Sequence, residues 1–247
     1  MELVRAPTQG TTKETSPPAR LALPGPTFAF RSCGIVTLVV GETQTPMSVH
    51  ERFITRTSEF FATALKKAWG EGQTRVIKLP EEDPVHLAYY LDWIYTRKLP
   101  TDVYRGSSQI GATITLPASC YDSHMILSHL YVLGERMLDT DFRNSVLEEL
   151  IHVTDLEMFP ESPAICSSIG PPLQVISIIY QGTTSASPAR RLLVDWCLAF
   201  GHQAQYNILH DKEFLVDIAE SFSDKVEKGL ASSEFRSVSL RYGEYRV

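Results

Sequence analysis

Hydrophobic and polar positions change rhythm several times along this chain, and each change of rhythm predicts an element. Gly34–Gly41, "GIVTLVVG", is a β-branched run closed by glycine at both ends, the pattern of a strand buried on both faces. A turn at 41–44 leads to "TPMSV", a short return strand. From His50 onward the apolar residues Phe53, Ile54, Phe60, Phe61, Leu65 and Ala68 fall at spacings that suit short helices. Ser58 is placed to cap the second of these, and Gly70 and Gly72 are expected to end it. "RVIKL", Arg75–Leu79, reads as a third strand.

Asp83-Pro84 then opens a helix: aspartate caps the free amides, and proline at the first helical position gives up no hydrogen bond. Leu87, Leu91, Ile94 and Tyr95 supply one buried stripe of that helix, with Asp92 on its outer side, and Arg97-Lys98-Leu99-Pro100 stops it. Residues 101–120 hold several glycines and serines and read as an insertion or loop, with a strand expected at Ala112–Leu116. Helical spacing resumes at Tyr121–Leu133 and again from Asp139 to His152. Four prolines between Phe159 and Pro172 mark a linker. A helical extension over 173–232 follows; within it Ser187 and Pro188 start a helix whose Leu192, Leu193, Trp196 and Phe200 face inward. Residues 233–247 are a tail. Residues 1–26, rich in Thr, Pro, Ser and Gly, bury too little surface to offset their ordering entropy and are expected to be a disordered leader. The fold class is therefore α+β.

Composition narrows the function. At 247 residues the chain is long enough for a real core, and 43% hydrophobic with 21% charged residues is ordinary for a globular protein. A net charge of −6, from 23 basic and 29 acidic residues, argues against a surface built for nucleic acid. The apolar runs are shorter than a membrane span, and the first residues lack the apolar stretch of a signal peptide, so a cytoplasmic or nuclear protein is expected, bound neither to membrane nor to nucleic acid. Cys33, Cys120, Cys166 and Cys197 are scattered without a CxxC pair, which points to reduced thiols rather than a disulfide framework or zinc site.

Candidate chemistry is sparse. His50 as a base would need a nucleophile and an orienting carboxylate, and the neighbouring Glu51 points elsewhere on a helix; a structural His bonded to backbone at a strand-to-helix junction is expected instead. His124 and His129 are five apart and share no helical face, so no metal and no cofactor are expected. Phe60, Phe61, Tyr89, Tyr90, Trp93 and Tyr95 at helical spacing read as core, and Arg190-Arg191 as partners of nearby carboxylates. GxSxG, HExxH and a glycine-rich phosphate loop are all missing, so the sequence gives no support for an enzyme.

The strand "IVTLVVG", then "VH", then Ser58 and Phe61 as S-x-x-F, then "RVIKLPEEDP" and "LDWIYTRKLP", resemble in order and spacing the BTB/POZ domain, and most closely its stand-alone form from filamentous fungi. The matched positions are Gly34, His50, Ser58, Phe61, Asp83, Pro84, Trp93 and Tyr95, within a core over residues 28–100. "LSHLYVLGERMLDTDFRNSVLEEL" resembles the helical pair that follows, over 121–158, and "IIYQGTTSASPARRLLVDWC" resembles the fungal extension. The resemblance implies a BTB/POZ core followed by an all-helical extension. It also implies a non-enzymatic protein–protein interaction module, a substrate adaptor for a cullin-type ubiquitin ligase, the alternative being a self-associating scaffold. Where many animal members carry a Ser-Asp pair that lines a charged pocket at the dimer seam, this chain has Cys33-Gly34. The element that contacts the cullin in some members is a hydrophobic-x-Glu turn, here Trp69-Gly70-Glu71. Trp69 is then either a partner anchor beside a carboxylate or the residue that closes its helix against the core, with Glu71 solvated; the usual burial of Trp favours the second, as does the flexibility expected of a turn holding Gly70 and Gly72.

Overall fold

A computed structural model describes residues 34–66, 69–99, 120–158, 170–200, 211–227 and 245. The expected leader, insertion and most of the Pro-rich linker and tail lie outside the described residues, as do Ala68 and the proposed strand at Ala112–Leu116. The architecture is mixed α+β and mostly helical. β1 (Ile35–Val40), β2 (Thr45–His50) and β3 (Val76–Leu79) form one sheet in the order β2-β1-β3. The helices are α1 (Glu51–Ile54), α2 (Glu59–Ala64), α3 (Gly70–Thr74), α4 (Pro84–Thr96), α5 (Cys120–Arg136), α6 (Thr140–Met158), α7 (Leu173–Gly182), α8 (Pro188–Phe200) and α9 (Lys212–Glu227).

β1 is the central strand. It pairs antiparallel with β2, Val36 opposite Val49, and parallel with β3, Leu38 opposite Ile77. Gly41 closes the hairpin at φ 69°, a left-handed conformation that a side chain disfavours. The expectation of a strand buried on both faces is corrected here. Val36, Leu38 and Val40 are buried, but Thr37 and Val39 are half-buried and Ile35 is 59% exposed. The core therefore covers one face of this small sheet, and β-branched residues on the other face serve strand propensity more than burial.

Ser58 caps α2 as expected, its Oγ accepting the Phe61 amide at 3.2 Å. Gly70 and Gly72 do not end that helix: α2 stops at Ala64, and the glycines belong to the separate turn α3. Arg75, expected in β3, is instead the left-handed C-cap of α3, at φ 57°. In α4 the Asp83 carboxylate accepts from the amides of Val85 and His86 at 2.7 and 3.1 Å, with Pro84 in the first turn. Arg97 ends α4 in the left-handed region, and its guanidinium lies 4.1 Å above the Trp93 ring, a cation–π contact that offsets part of the backbone cost. Leu87 and Ile94 are buried and Asp92 exposed as the stripe implies; Tyr95 is corrected to 41% exposed.

A continuous apolar cluster runs from the sheet through α4, α5 and α6 to α7, α8 and α9. Phe61, Tyr90, Trp93 and Phe142 meet at its centre, with the Tyr90 and Trp93 rings 4.7 and 4.9 Å from Phe142. Burying each such aromatic contributes about 1.5–3 kcal/mol. Where α5, α7 and α8 converge, the remaining void is about 10 Å³, room for one water at most.

One polar junction holds the sheet half to the helical half. Asp139, fully buried, follows the left-handed Leu138 that ends the α5 turn. Its Oδ2 accepts the hydroxyls of Thr57 at 2.6 Å and Tyr90 at 2.9 Å, and its Oδ1 caps α6 through the Phe142 amide at 3.0 Å. Ser58 bridges to Asp139 in antiparallel fashion and donates its hydroxyl to the Met137 carbonyl at 2.6 Å. Burial first, and then the Asp139 charge, push the Tyr90 hydroxyl far above its ordinary range, so it remains a donor at any accessible pH. Between α4 and α5, the rings of His86 and His129 stack with centroids 4.6 Å apart and planes 17° from parallel. Burial lowers the pKa of His86 against the pull of Asp83 and Glu82. Burial and the His86 ring lower that of His129, with Asp83 opposing and Arg136 reinforcing.

Two predictions follow from these contacts. Asp139→Ala removes the α6 cap and strands the buried Tyr90 hydroxyl, so urea unfolding should show a loss of about 2–4 kcal/mol, against under about 1 for the half-buried Thr57→Ala; equal losses would contradict the junction. For the histidine pair, folded pKa values below 6.5 mean that stability is complete above that pH and falls as protons are forced onto the stacked rings. The unfolding midpoint should therefore drop between about pH 7 and 5, and His129→Gln should flatten the drop; a variant with an unchanged pH profile would rule the pair out as its source.

Candidate functional site

Trp69 stands at the N-cap of α3 and is 56% exposed, so the expectation that it closes its helix against the core is overturned. The reason is local. α2 ends at Ala64, and the chain turns at Leu65 and Lys66 before Trp69, whose amide donates to the Lys66 carbonyl at 3.0 Å. Glu71, in the first turn of α3, is exposed as well. An indole and a carboxylate are thus both exposed on one short turn.

That turn is packed against the chain that precedes it at one of its two glycines. Gly72 is buried, and a Cβ there would run into the Lys66 carbonyl and the Leu65 oxygen. Glycine is needed because two stretches of backbone touch. The Thr74 hydroxyl donates to the Gly70 carbonyl at 3.0 Å, and the Arg75 amide to the Glu71 carbonyl at 2.8 Å. Beyond the cap, Arg75 reaches Glu51 at 2.7 Å and ties the end of α3 to the start of α1. Gly34 lies over the same carboxylate, where a Cβ would sit 3.1 Å from Glu51 Oε2. Glu51 is therefore an ion-pair partner and not an orienting group for His50.

His50 is a hinge between β2 and α1. Its Nδ1 lies 2.9 Å from the Tyr95 hydroxyl, which also accepts the His50 amide at 2.9 Å. A hydroxyl that accepts from the amide has its proton left for Nδ1. Phe53 packs against Tyr95 at 4.9 Å and completes an aromatic corner. The exposure of Tyr95 is thus explained by a hydrogen-bonded role at the sheet edge.

The other sequence candidates are separated. His124 is buried, its ring 4.9 Å from Trp196 and its Nε2 3.1 Å from the Thr154 hydroxyl, while His129 faces His86. Among the described residues no group of three or more His, Cys, Asp or Glu could hold a metal, and no described helix is long and apolar enough to cross a membrane. Cys197 is buried and outside any disulfide. An open polar cleft of about 370 Å³ lies between α4 and α6, lined by Arg56, Arg97, Asp141 and Ser145, with charges of both signs.

Sequence reading missed the polar hubs of the helical half. Arg190, 4% exposed, donates to Glu213, to the Thr183 hydroxyl and to the carbonyls of Tyr180 and Thr183, its guanidinium 4.3 Å above the Tyr180 ring. The Tyr180 hydroxyl donates to Asp217 at 2.6 Å, and burial followed by that bond raises its pKa well beyond the ordinary. The Asp195 carboxylate takes Lys225 on one oxygen and the Tyr245 hydroxyl on the other. Ser187, expected as a cap, has its hydroxyl 3.3 Å from that of Tyr131 while its carbonyl accepts the Arg190 amide. Pairing of Arg190 with a carboxylate was legible from its type; the partner 23 residues away was not.

These contacts set two substitutions apart. Gly72→Ala forces the Lys66 backbone to move and should cost more than about 2 kcal/mol in chemical unfolding, whereas Trp69→Ala, at an exposed site, should stay within about 0.5. A large loss for Trp69→Ala would mean that its ring is part of the core.

No model of a known protein family matches this chain, and no curated protein matches it.

Proposed function

We propose that this chain is a BTB/POZ-type protein–protein interaction module that makes and breaks no covalent bond. It acts in the cytoplasm or nucleus as an adaptor that presents Trp69 and Glu71 to a cullin-type scaffold. The observation that carries the reading is the 56% exposure of Trp69 on a turn that Gly72 packs against the preceding backbone, with Glu71 exposed two residues further on. Covering the exposed part of such a ring removes apolar area from water, and aromatic anchors of this kind carry most of the energy at protein interfaces. The packing of the turn adds to this, because less conformational entropy remains to be lost when a partner docks.

The element order supports the family reading. A hairpin, three short helices, a third strand and the Asp83-Pro84 helix follow one another in an order compatible with the BTB/POZ resemblance, and helices alone follow among the described residues. The charged groups drawn inward have structural partners in this reading: Asp139 and Arg190, both buried, and Asp195, half-buried, are engaged in joining elements. In this reading the helical extension, from α7 onward, or the segment 101–120 supplies the surface that recruits a substrate.

Capture of the purified full chain on an immobilised cullin N-terminal domain tests the adaptor. Trp69→Ala and Glu71→Lys should each weaken capture by about tenfold or more, with unfolding midpoints unchanged. Unaltered capture by both variants would refute the site. A chain that ignores the cullin and binds only itself would favour the scaffold reading.

A further inference from the structure

α9 has two apolar faces, and among the described residues only one of them packs on the core. Phe214 and Lys225 are buried and Ile218 packs on the core; Phe214 meets the Tyr180 ring at 5.3 Å, and Glu213 and Asp217 engage Arg190 and Tyr180. That inner face fixes the helix to α7 and α8. On the outer side, Leu215 is 41% exposed, Val216 52%, Phe222 52% and Val226 57%, and Ala219 is exposed between them. Leu215, Ala219, Phe222 and Val226 are spaced i, i+4, i+7 and i+11, so they fall within about 60° of one another on the helix surface. The outer face of a surface helix is normally polar, and a contiguous apolar stripe there marks a contact surface.

We propose that this stripe pairs with the same stripe of a second copy of the chain, the two α9 helices running antiparallel about a two-fold axis. The sequence of the stripe fits itself in that orientation. An axis between Glu220 and Ser221 sets Leu215 opposite Val226 and Ala219 opposite Phe222, so that the largest side chain meets the smallest at both central positions. Large-on-small pairing fills the seam without overlap, and an isologous contact satisfies both copies at once. Charge selects the same orientation. Lys212 and Glu227 flank the stripe at opposite ends of α9 and are exposed, with no ion-pair partner among the described residues. Antiparallel pairing brings each lysine toward the glutamate of the other copy; parallel pairing would set like beside like. Glu220, nearest the axis along the chain, lies about 120° round the helix from the centre of the stripe and remains in solvent. Two helices of 16 residues form a modest interface, so the dimer is reversible and concentration-dependent. This pairing stands independently of the Trp69 site.

Sedimentation velocity on the full chain across a concentration series tests it. The wild type should show a monomer–dimer equilibrium. Phe222→Glu should raise the dissociation constant by about tenfold or more. Lys212→Glu and Glu227→Lys should each weaken the dimer by roughly threefold, and the two together should restore it, because the reversed charges again meet their opposites. Phe222 is half-exposed, so its variant should keep the wild-type unfolding midpoint, and Trp69→Ala should leave the dimer unchanged. A wild type that stays monomeric, a dimer indifferent to Phe222→Glu, or a double charge reversal weaker than either single one overturns the proposal. A monomer that instead holds a different protein through Phe222 overturns it as well. Phe222→Glu should not alter cullin capture, so failure here and failure of the adaptor reading can be told apart.

Discussion

A carboxylate buried without a neighbouring cation has to be satisfied by hydrogen-bond donors, and in this protein those donors come from three separate parts of the chain. Asp139 draws Thr57 from the α1–α2 turn, Tyr90 from α4 and the Phe142 amide from α6 onto its two oxygens. Leaving any of them unmade inside the core costs more than making it returns, which makes such a junction strongly directional. The apolar contacts around it, Phe61, Tyr90, Trp93 and Phe142, supply the larger share of the energy but would tolerate small slips in position. Asp139 does not tolerate them. Its geometry fixes how the sheet half meets the helical half.

The same economy recurs farther along. Arg190 gathers α7, the Thr183 turn and α9, while Asp195 on α8 holds Lys225 and Tyr245. In each case a charge drawn inward, fully for Arg190 and in part for Asp195, is matched by several partners from different elements, which sets orientation more than it adds net stability. Apolar side chains also stand exposed, at Trp69 and along α9.

Local signals in the sequence were reliable wherever one element decided the outcome. Ser58 as a cap, Asp83-Pro84 as a helix start, the Leu87 and Ile94 side of α4, and Leu192, Leu193 and Trp196 facing inward all follow from spacing and capping chemistry. What failed depended on neighbours. β1 looked fully buried because β-branched residues favour strands on either face, and only the sheet topology reveals that one face is uncovered. Trp69 was weighed by the average burial of its residue type, whereas the early end of α2 decides its exposure. Gly72 suggested freedom, and the close approach of the Lys66 carbonyl gives it a packing reason as well. Asp139 could be read as a helix cap from its place before Thr140, but Tyr90 and Thr57 lie 49 and 82 residues away, beyond the reach of any local pattern.

If Asp139 joins the two halves as described, they should behave as one cooperative unit. Native-state hydrogen exchange, followed amide by amide in dilute denaturant, measures this directly. The account predicts that the slowest amides of β1, α4 and α6 exchange through a common global opening, with the same free energy and the same denaturant dependence. An α6 that opens at much lower free energy while β1 and α4 stay protected would show two independent units and contradict it.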